Sequence, residues 1–224
     1  MKAIVIGATG ATGTELINQL IKDDSFTEIK AFGRNSLNIQ NDKIKEYIID
    51  FNEIETYKSE INGDVLFSAL GTTKKDAGSK EAQYKIDYTY QYEFAKLASD
   101  NAIGNYVLVS SIGSNERSVL FYPKMKGALE EAVKKLDFKN IHIFQPPMLI
   151  RQPNRIRKVE KNGIAIINKL NAIGLFKSQK PMSVNLLAKK MIKVLKRDST
   201  ENINTYLPEN IFNLWQIKKD QILT

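Results

Sequence analysis

The sequence has no cysteine and only one histidine, His142. Without cysteine there is no disulfide, no thiolate nucleophile and no cysteine-based metal centre. With one histidine, neither a histidine metal cluster nor a Ser-His-Asp triad has its parts, so no metal is expected. Long apolar runs are missing too: none approaches the ~20 residues of a membrane span. The opening MKAIVIGATG carries one lysine and a short apolar run that leads straight into glycines, unlike the long apolar region of a signal peptide. These absences lead us to expect a cytoplasmic protein without a membrane partner. Zinc-finger, homeodomain and RNA-recognition signatures are also missing, so a nucleic-acid partner is not expected either.

A length of 224 residues, 42% of them hydrophobic, suits one large α/β domain with a small appendage. The net charge of +8 is unevenly spread. Residues 1–150 carry 18 Lys+Arg against 20 Asp+Glu, while residues 151–224 carry 15 against 5. A basic end can draw in an anionic cofactor or substrate. Most of these lysines, Lys189, Lys190, Lys193 and Lys196 among them, read as solvated helix faces.

Strand and helix patterns alternate from the start, the sign of a parallel sheet covered by helices on both faces. Ala3 to Ile6 is wholly apolar, as a doubly buried strand requires. Gly13 to Lys22 follows as a helix with Leu16, Ile17, Leu20 and Ile21 on one face. Further strands are expected at Glu28 to Phe32, Ile44 to Ile49, Asp64 to Ser68, Tyr106 to Val109 and Ile141 to Phe144. Helices are expected at Glu81 to Asp100 and Tyr122 to Leu136. After Ile150 the alternation loosens. A basic loop, a helix from Ile156 to Leu170, a short strand entering a helix over Pro181 to Lys196 with Asn185 as its cap, and an amphipathic end with Trp215 are expected. The division is residues 1–150 as a Rossmann-type domain and 151–224 as a segment covering the substrate, within one structural domain.

Gly7, Gly10 and Gly13 form G-x-x-G-x-x-G directly after the first strand. Glycines there permit the tight turn, the close approach of a pyrophosphate and close helix–strand packing. The pyrophosphate then meets free N–H groups at the positive end of a helix. Thr9, Ala11 and Thr12 belong to the same expected cradle. At the end of the second strand the sequence reads Ala-Phe-Gly-Arg-Asn, with no carboxylate to accept ribose hydroxyls. Arg34 instead offers a planar fork to a 2′-phosphate, so NADP(H) is expected in preference to NAD(H). Asp50 and Phe51, after the third strand, are placed near the adenine. A carboxylate at Asp50 can equally cap the next helix.

Tyr122 and Lys126 stand four apart, on one helix face. A phenol titrates near pH 10 and an ammonium beside it favours phenolate. Tyr122 is therefore the expected proton donor or acceptor at a substrate oxygen, with Lys126 lowering its pKa and reaching the nicotinamide ribose. Ser111 is expected to hold that oxygen, with Ser110 as its rival. His142, in an apolar strand, reads as a core residue, and the tyrosines between 84 and 92 as helix packing. Asp87 is a candidate to orient the active-site helix. Arg151, Arg155 and Arg157 either line the substrate mouth or are solvated.

The GATGATG start, the Ser-Ser after the fifth strand and YPKMK resemble the short-chain dehydrogenase/reductase superfamily, in its extended or atypical branch. ALGTTKKDAGS, KIDYTYQYEFAKLA, VLVSSIGS, YPKMKGALEE and FQPPML are similar to one subgroup, the small oxidoreductases like the Tat-interacting-protein oxidoreductase. The likeness covers about residues 1–155. It implies that Leu70 and Gly71 line the cofactor, that Pro146 and Met148 flank the nicotinamide, and that Tyr122 with Lys126 is the active pair. The implied activity is hydride transfer between NADP(H) and a small carbonyl or alcohol. Alternatives are a dinucleotide-sensing regulator of the NmrA-like type that binds a protein partner, and an epimerase or dehydratase using the same cofactor. A monomer or a homodimer is expected.

Overall fold

A computed structural model of the chain describes residues 1–152, 180–196 and 201–214. The expected helix at 156–170, Arg155, Arg157 and Trp215 lie outside the described residues.

β1 (Lys2–Ile6) opens a seven-stranded sheet whose remaining strands are β2 (Glu28–Gly33), β3 (Ile44–Ile48), β4 (Val65–Ser68), β5 (Asn105–Val109), β6 (Asn140–Phe144) and β9 (Ile203–Tyr206). Their order is β3-β2-β1-β4-β5-β6-β9, and every pair is parallel. Two short strands, β7 (Leu149–Ile150) and β8 (Met182–Ser183), pair separately. The chain goes outward from β1 to β3, then crosses back to β4 on the other side. This reversal between β1 and β4 opens a crevice at the strands' carboxyl ends, where α/β sheets of this kind bind ligands.

Each sheet face is covered. On one side α1 (Ala11–Lys22) and α6 (Val184–Lys193) pack together over Val5, Phe67 and Val107. On the other, α4 (Tyr90–Asp100) and α5 (Phe121–Val133) bury Ile4, Leu66 and Leu108. The unbroken apolar runs of β1 and β4 reflect this double cover. α7 (Pro208–Asn213) follows β9. Residues after 150 thus supply the last strand and part of a helical layer.

Several details depart from the periodicity. The span read as one helix from Glu81 is α3 (Lys80–Tyr84), a π-helical turn (Lys85–Thr89) and α4. Tyr84, Tyr88 and Tyr92 stack along it. A 3₁₀ stretch (Phe51–Glu60) and the one-turn α2 (Lys74–Ala77) carried too little apolar period to be seen. The cap of α6 is Ser183, whose hydroxyl accepts from the Leu186 N–H, and not Asn185. Asn185 instead donates to Glu15 on α1 at 2.9 Å. His142 is buried, with Nδ1 3.1 Å from the Tyr206 hydroxyl.

Candidate active site

The glycine loop makes the turn from β1 to α1. Gly7 has φ +79°, and a side chain there would overlap the Ala69 backbone at the end of β4. A Cβ on Gly13 would run into the Gly7 carbonyl, so the third glycine serves helix–strand packing and lies outside the lining of the crevice's two cavities. Gly10 is the N-cap of α1 and offers no side chain to its first amides. Those amides face the crevice unsatisfied by the helix itself, which is the donor set a pyrophosphate needs.

Two cavities meet over this loop. One, ≈ 170 Å³, is bounded by Gly7, Thr9, Gly10, Arg34, Phe51, Leu70 and Gly71, among others. The other, ≈ 740 Å³, takes in Ala11, Thr12, Ser110, Ser111, Tyr122, Lys126, Pro146, Met148 and Arg151. Gly10 and the segment Ala69 to Thr72 line both, so the two form one cleft across the strand ends. A loop with no room for a Cβ at Gly7 or Gly13, a free helix terminus and a continuous cleft fit a dinucleotide.

Asp50 is outside this lining. Its carboxylate accepts from the backbone and side chain of Asn52, at 2.9 and 2.7 Å, and caps the 3₁₀ stretch. Conversely, the smaller cavity includes Glu46, Ile48 and Ile86, which the sequence reading missed. Glu46 and Ile48 share one face of β3; strict alternation along that strand was the available signal. The Glu46 carboxylate accepts from the Ser36 hydroxyl at 2.7 Å and the Leu37 N–H at 3.0 Å.

At the other end α5 carries Tyr122 and Lys126 on one face. Gly127 lets this helix press against the loop at Asn115 and Glu116, where a Cβ would overlap backbone. Lys126 is buried and donates to the Val109 carbonyl at 3.2 Å. Buried Asp87 and Glu130 attract it from two sides. Asp87 rides on the π-helical turn and accepts from the Thr72 N–H at 2.7 Å, which ties the loop shared by the two cavities to the charged cluster. Glu130 accepts from Gln145 Nε2, at 2.9 Å to its nearer oxygen, and from the Ser110 hydroxyl. Ser110 is thereby committed to Glu130 and Ser114. Ser111 is the serine that hydrogen-bonds Tyr122.

The expected depression of the Tyr122 pKa by Lys126 is not found. The phenol is pushed up to about 12, first by desolvation, then by the Asp87 charge, against the hydrogen bond from Ser111. The physical reason is that burial disfavours the Lys126 charge, its ammonium is engaged by the Val109 carbonyl, and the Asp87 charge acts on the phenol in the opposite sense. Burial also raises Asp87, with Lys126, Thr72 and Gln83 opposing. Tyr122 therefore stands as a neutral phenol, 40% exposed to the cleft, suited to giving a proton.

Residues 7–139 match the model of a family described as NAD(P)H-binding. The chain belongs to this family. Curated relatives extend the match. "Protein FMP52, mitochondrial" of Debaryomyces hansenii is 37% identical over 157 residues, 67% of each chain. Its namesake in Emericella nidulans is 34% identical over 163 residues, 70% of each chain. "Protein HTATIP2" of Rattus norvegicus is 29% identical over 157 residues, 67% of this chain and 64% of its own. The likeness to the Tat-interacting-protein subgroup stands. Among solved structures, Bordetella bronchiseptica WbmG in complex with NAD and UDP superposes with a TM-score of 0.69 at 11% identity, over 99% of this chain and 78% of WbmG. UDP-glucose 4-epimerase of Thermotoga maritima, with UDP-glucose, gives 0.66 at 12%, over 96% and 81%. At such identities these establish the fold, a Rossmann-type sheet.

This NAD(P)H-binding chain does not bear out the cytoplasmic expectation. The FMP52 relatives are named as mitochondrial. The inference failed because freedom from cysteine suits any reducing compartment, not the cytoplasm alone.

Proposed function

We propose that the chain is an NADP(H)-dependent oxidoreductase of the short-chain dehydrogenase/reductase type, acting on a small carbonyl or alcohol. The observation that carries this reading is the neutral Tyr122 phenol beside Ser111, at the open end of a glycine-lined dinucleotide cleft. When bound, the dinucleotide supplies or accepts hydride. Tyr122 gives its proton to the substrate oxygen as that oxygen gains charge. Ser111 donates to the same oxygen and fixes its position. Lys126, desolvated and attracted by Asp87 and Glu130, holds a donor at the base of the cleft that would reach the nicotinamide ribose. Asp87 keeps Lys126 in place and, through the Thr72 N–H, aligns the cofactor loop with α5.

Arg34 lines the adenosine end and is exposed, free to take a 2′-phosphate in a bidentate grip. NADP(H) is accordingly the preferred cofactor. Gly7, Thr9, Gly10, Ala11 and Thr12 hold the pyrophosphate, with Leu70 and Gly71 alongside. Phe51 borders the adenine, and Pro146 with Met148 borders the nicotinamide.

The test is thermal shift followed by turnover. NADPH should raise the melting temperature more than NADH does, and oxidation of NADPH should accompany reduction of an aldehyde or ketone. Equal shifts from both cofactors would remove the role of Arg34. Strong binding without turnover across a broad carbonyl panel would favour a dinucleotide-sensing regulator.

A further inference from the structure

Resting on that reductase reading, we infer that the substrate is a carbonyl compound with an aliphatic tail, the carbonyl seated at Tyr122 and the tail lying along an apolar lip at the mouth of the larger cavity. Single exposed hydrophobic residues are ordinary, but a group of them in one place marks a binding surface. Ile112, Tyr122 and Met148 line this cavity and are exposed. Pro147, Leu149 and Val184 continue the wall inward.

Four of the polar side chains around the same cavity are already engaged, and Lys74 and Arg151 form its charged rim. Thr73 and Asp76 bond each other at 2.9 Å, Gln83 donates to the Thr72 carbonyl at 3.2 Å, and Ser110 is bonded to Glu130. A polyol or a nucleotide sugar would need such groups free, because each hydroxyl desolvated without a partner costs affinity. An aliphatic tail needs only apolar contact, which the lip supplies next to the proton donor. The reaction balances simply. Hydride from the reduced dinucleotide joins the carbonyl carbon, the π electrons move to oxygen, and oxygen takes the Tyr122 proton. The aldehyde becomes a primary alcohol and the dinucleotide is oxidised.

The experiment measures kcat/KM with NADPH for straight-chain aldehydes from propanal to decanal. Each methylene that reaches the lip should raise kcat/KM about fourfold, from the usual transfer free energy of a buried CH₂. Ile112→Ser and Met148→Ser should flatten this slope, read as the decanal-to-propanal ratio. Both positions are exposed, so the fold should tolerate them. Turnover that does not vary with chain length would overturn the tail site and leave the reductase reading standing. A slope unmoved by either substitution would do the same for the lip. UDP-glucose outcompeting decanal would also overturn it. No turnover of any aldehyde, with NADPH still bound, would count against both.

Discussion

Between β1 and β3 the cleft is built from backbone and exposed side chains, whereas between β4 and β6 it is built on buried charge. In the proposed reading the adenosine half relies on Gly7 and Gly10, on the open N-terminus of α1 and on Arg34 at the surface. The redox half rests on Lys126, Asp87 and Glu130, all buried and joined to Thr72, Gln145 and Ser110. Holding a polyanion asks for shape and outward-facing donors, and water can share the work. Moving a proton asks for a group whose charge state is controlled, and that control comes from excluding water around fixed charges. Changes in the first half should therefore alter which cofactor is chosen. Changes in the second should alter chemistry and folding together.

The sharpest contrast comes from Tyr122→Phe. Loss of the proton donor should lower turnover about 10²- to 10⁴-fold, while the rise in melting temperature given by NADPH stays nearly whole. Retained activity would move the proton donor elsewhere and erase the division between the halves. Next in size is Lys126→Met, which leaves two buried carboxylates without their cation. Breaking a buried ionic group of this kind costs about 3–5 kcal/mol, measurable by urea unfolding of the unliganded protein. An unchanged midpoint would mean that the cluster is solvated in practice.

Asp87→Asn separates charge from structure, because the amide oxygen can still accept from the Thr72 N–H. The carboxylate raises the Tyr122 pKa, so its removal should let that pKa fall. In the reduction direction the neutral phenol is the active form, and activity is lost as pH rises through its pKa. The alkaline limb of the pH–rate profile should thus move to lower pH. A limb that stays fixed or moves upward would show that Asp87 does not act on the phenol.

This charged cluster also marks the limit of what the chain alone discloses. The strands were legible because a doubly covered sheet needs unbroken apolar runs, and Ala3 to Ile6 or Val65 to Phe67 can be little else. The glycine loop was legible because a strand turning into a helix at that spacing needs glycine at positions 7 and 13, where any Cβ would overlap backbone. That Tyr122 and Lys126 share one helix face was legible from their spacing. The direction of the Tyr122 shift was not, since it depends on Asp87, which lies 35 positions earlier and faces α5 only through a π-helical turn. Gln145 is similarly remote, whereas Glu130 stands only four positions after Lys126 on α5, a spacing that was available as a signal and went unread. The seventh strand was missed for a different reason. Ile203–Tyr206 alternates exposed and half-buried residues at the sheet edge, so its sequence lacks the apolar density of the inner strands.

Returning to the adenosine half, Arg34→Ala should reduce the preference for NADPH over NADH. One exposed charge-assisted contact is worth roughly 1.5 kcal/mol, about tenfold in the ratio of dissociation constants. Affinity for NADH itself should hardly move. A parallel loss for both cofactors would place Arg34 against the adenine ring and not against a phosphate.

The smallest effect expected, and the most discriminating, belongs to Glu46→Gln. Glu46 borders the same cavity as Arg34, and its carboxylate would oppose a 2′-phosphate brought near it. Both of its recorded partners, the Ser36 hydroxyl and the Leu37 N–H, are donors, so a glutamine oxygen can keep one of these bonds. Removal of the charge should therefore improve NADPH binding by about twofold to threefold at low salt, an advantage that fades as ionic strength screens the surface. If Glu46 instead accepts hydrogen bonds from the ribose hydroxyls of NADH, the same substitution should weaken NADH. The two outcomes differ in which cofactor moves. Isothermal titration of the variant with each cofactor, at two salt concentrations, decides between a cleft that selects by attraction at Arg34 alone and one that balances Arg34 against Glu46 to admit both cofactors.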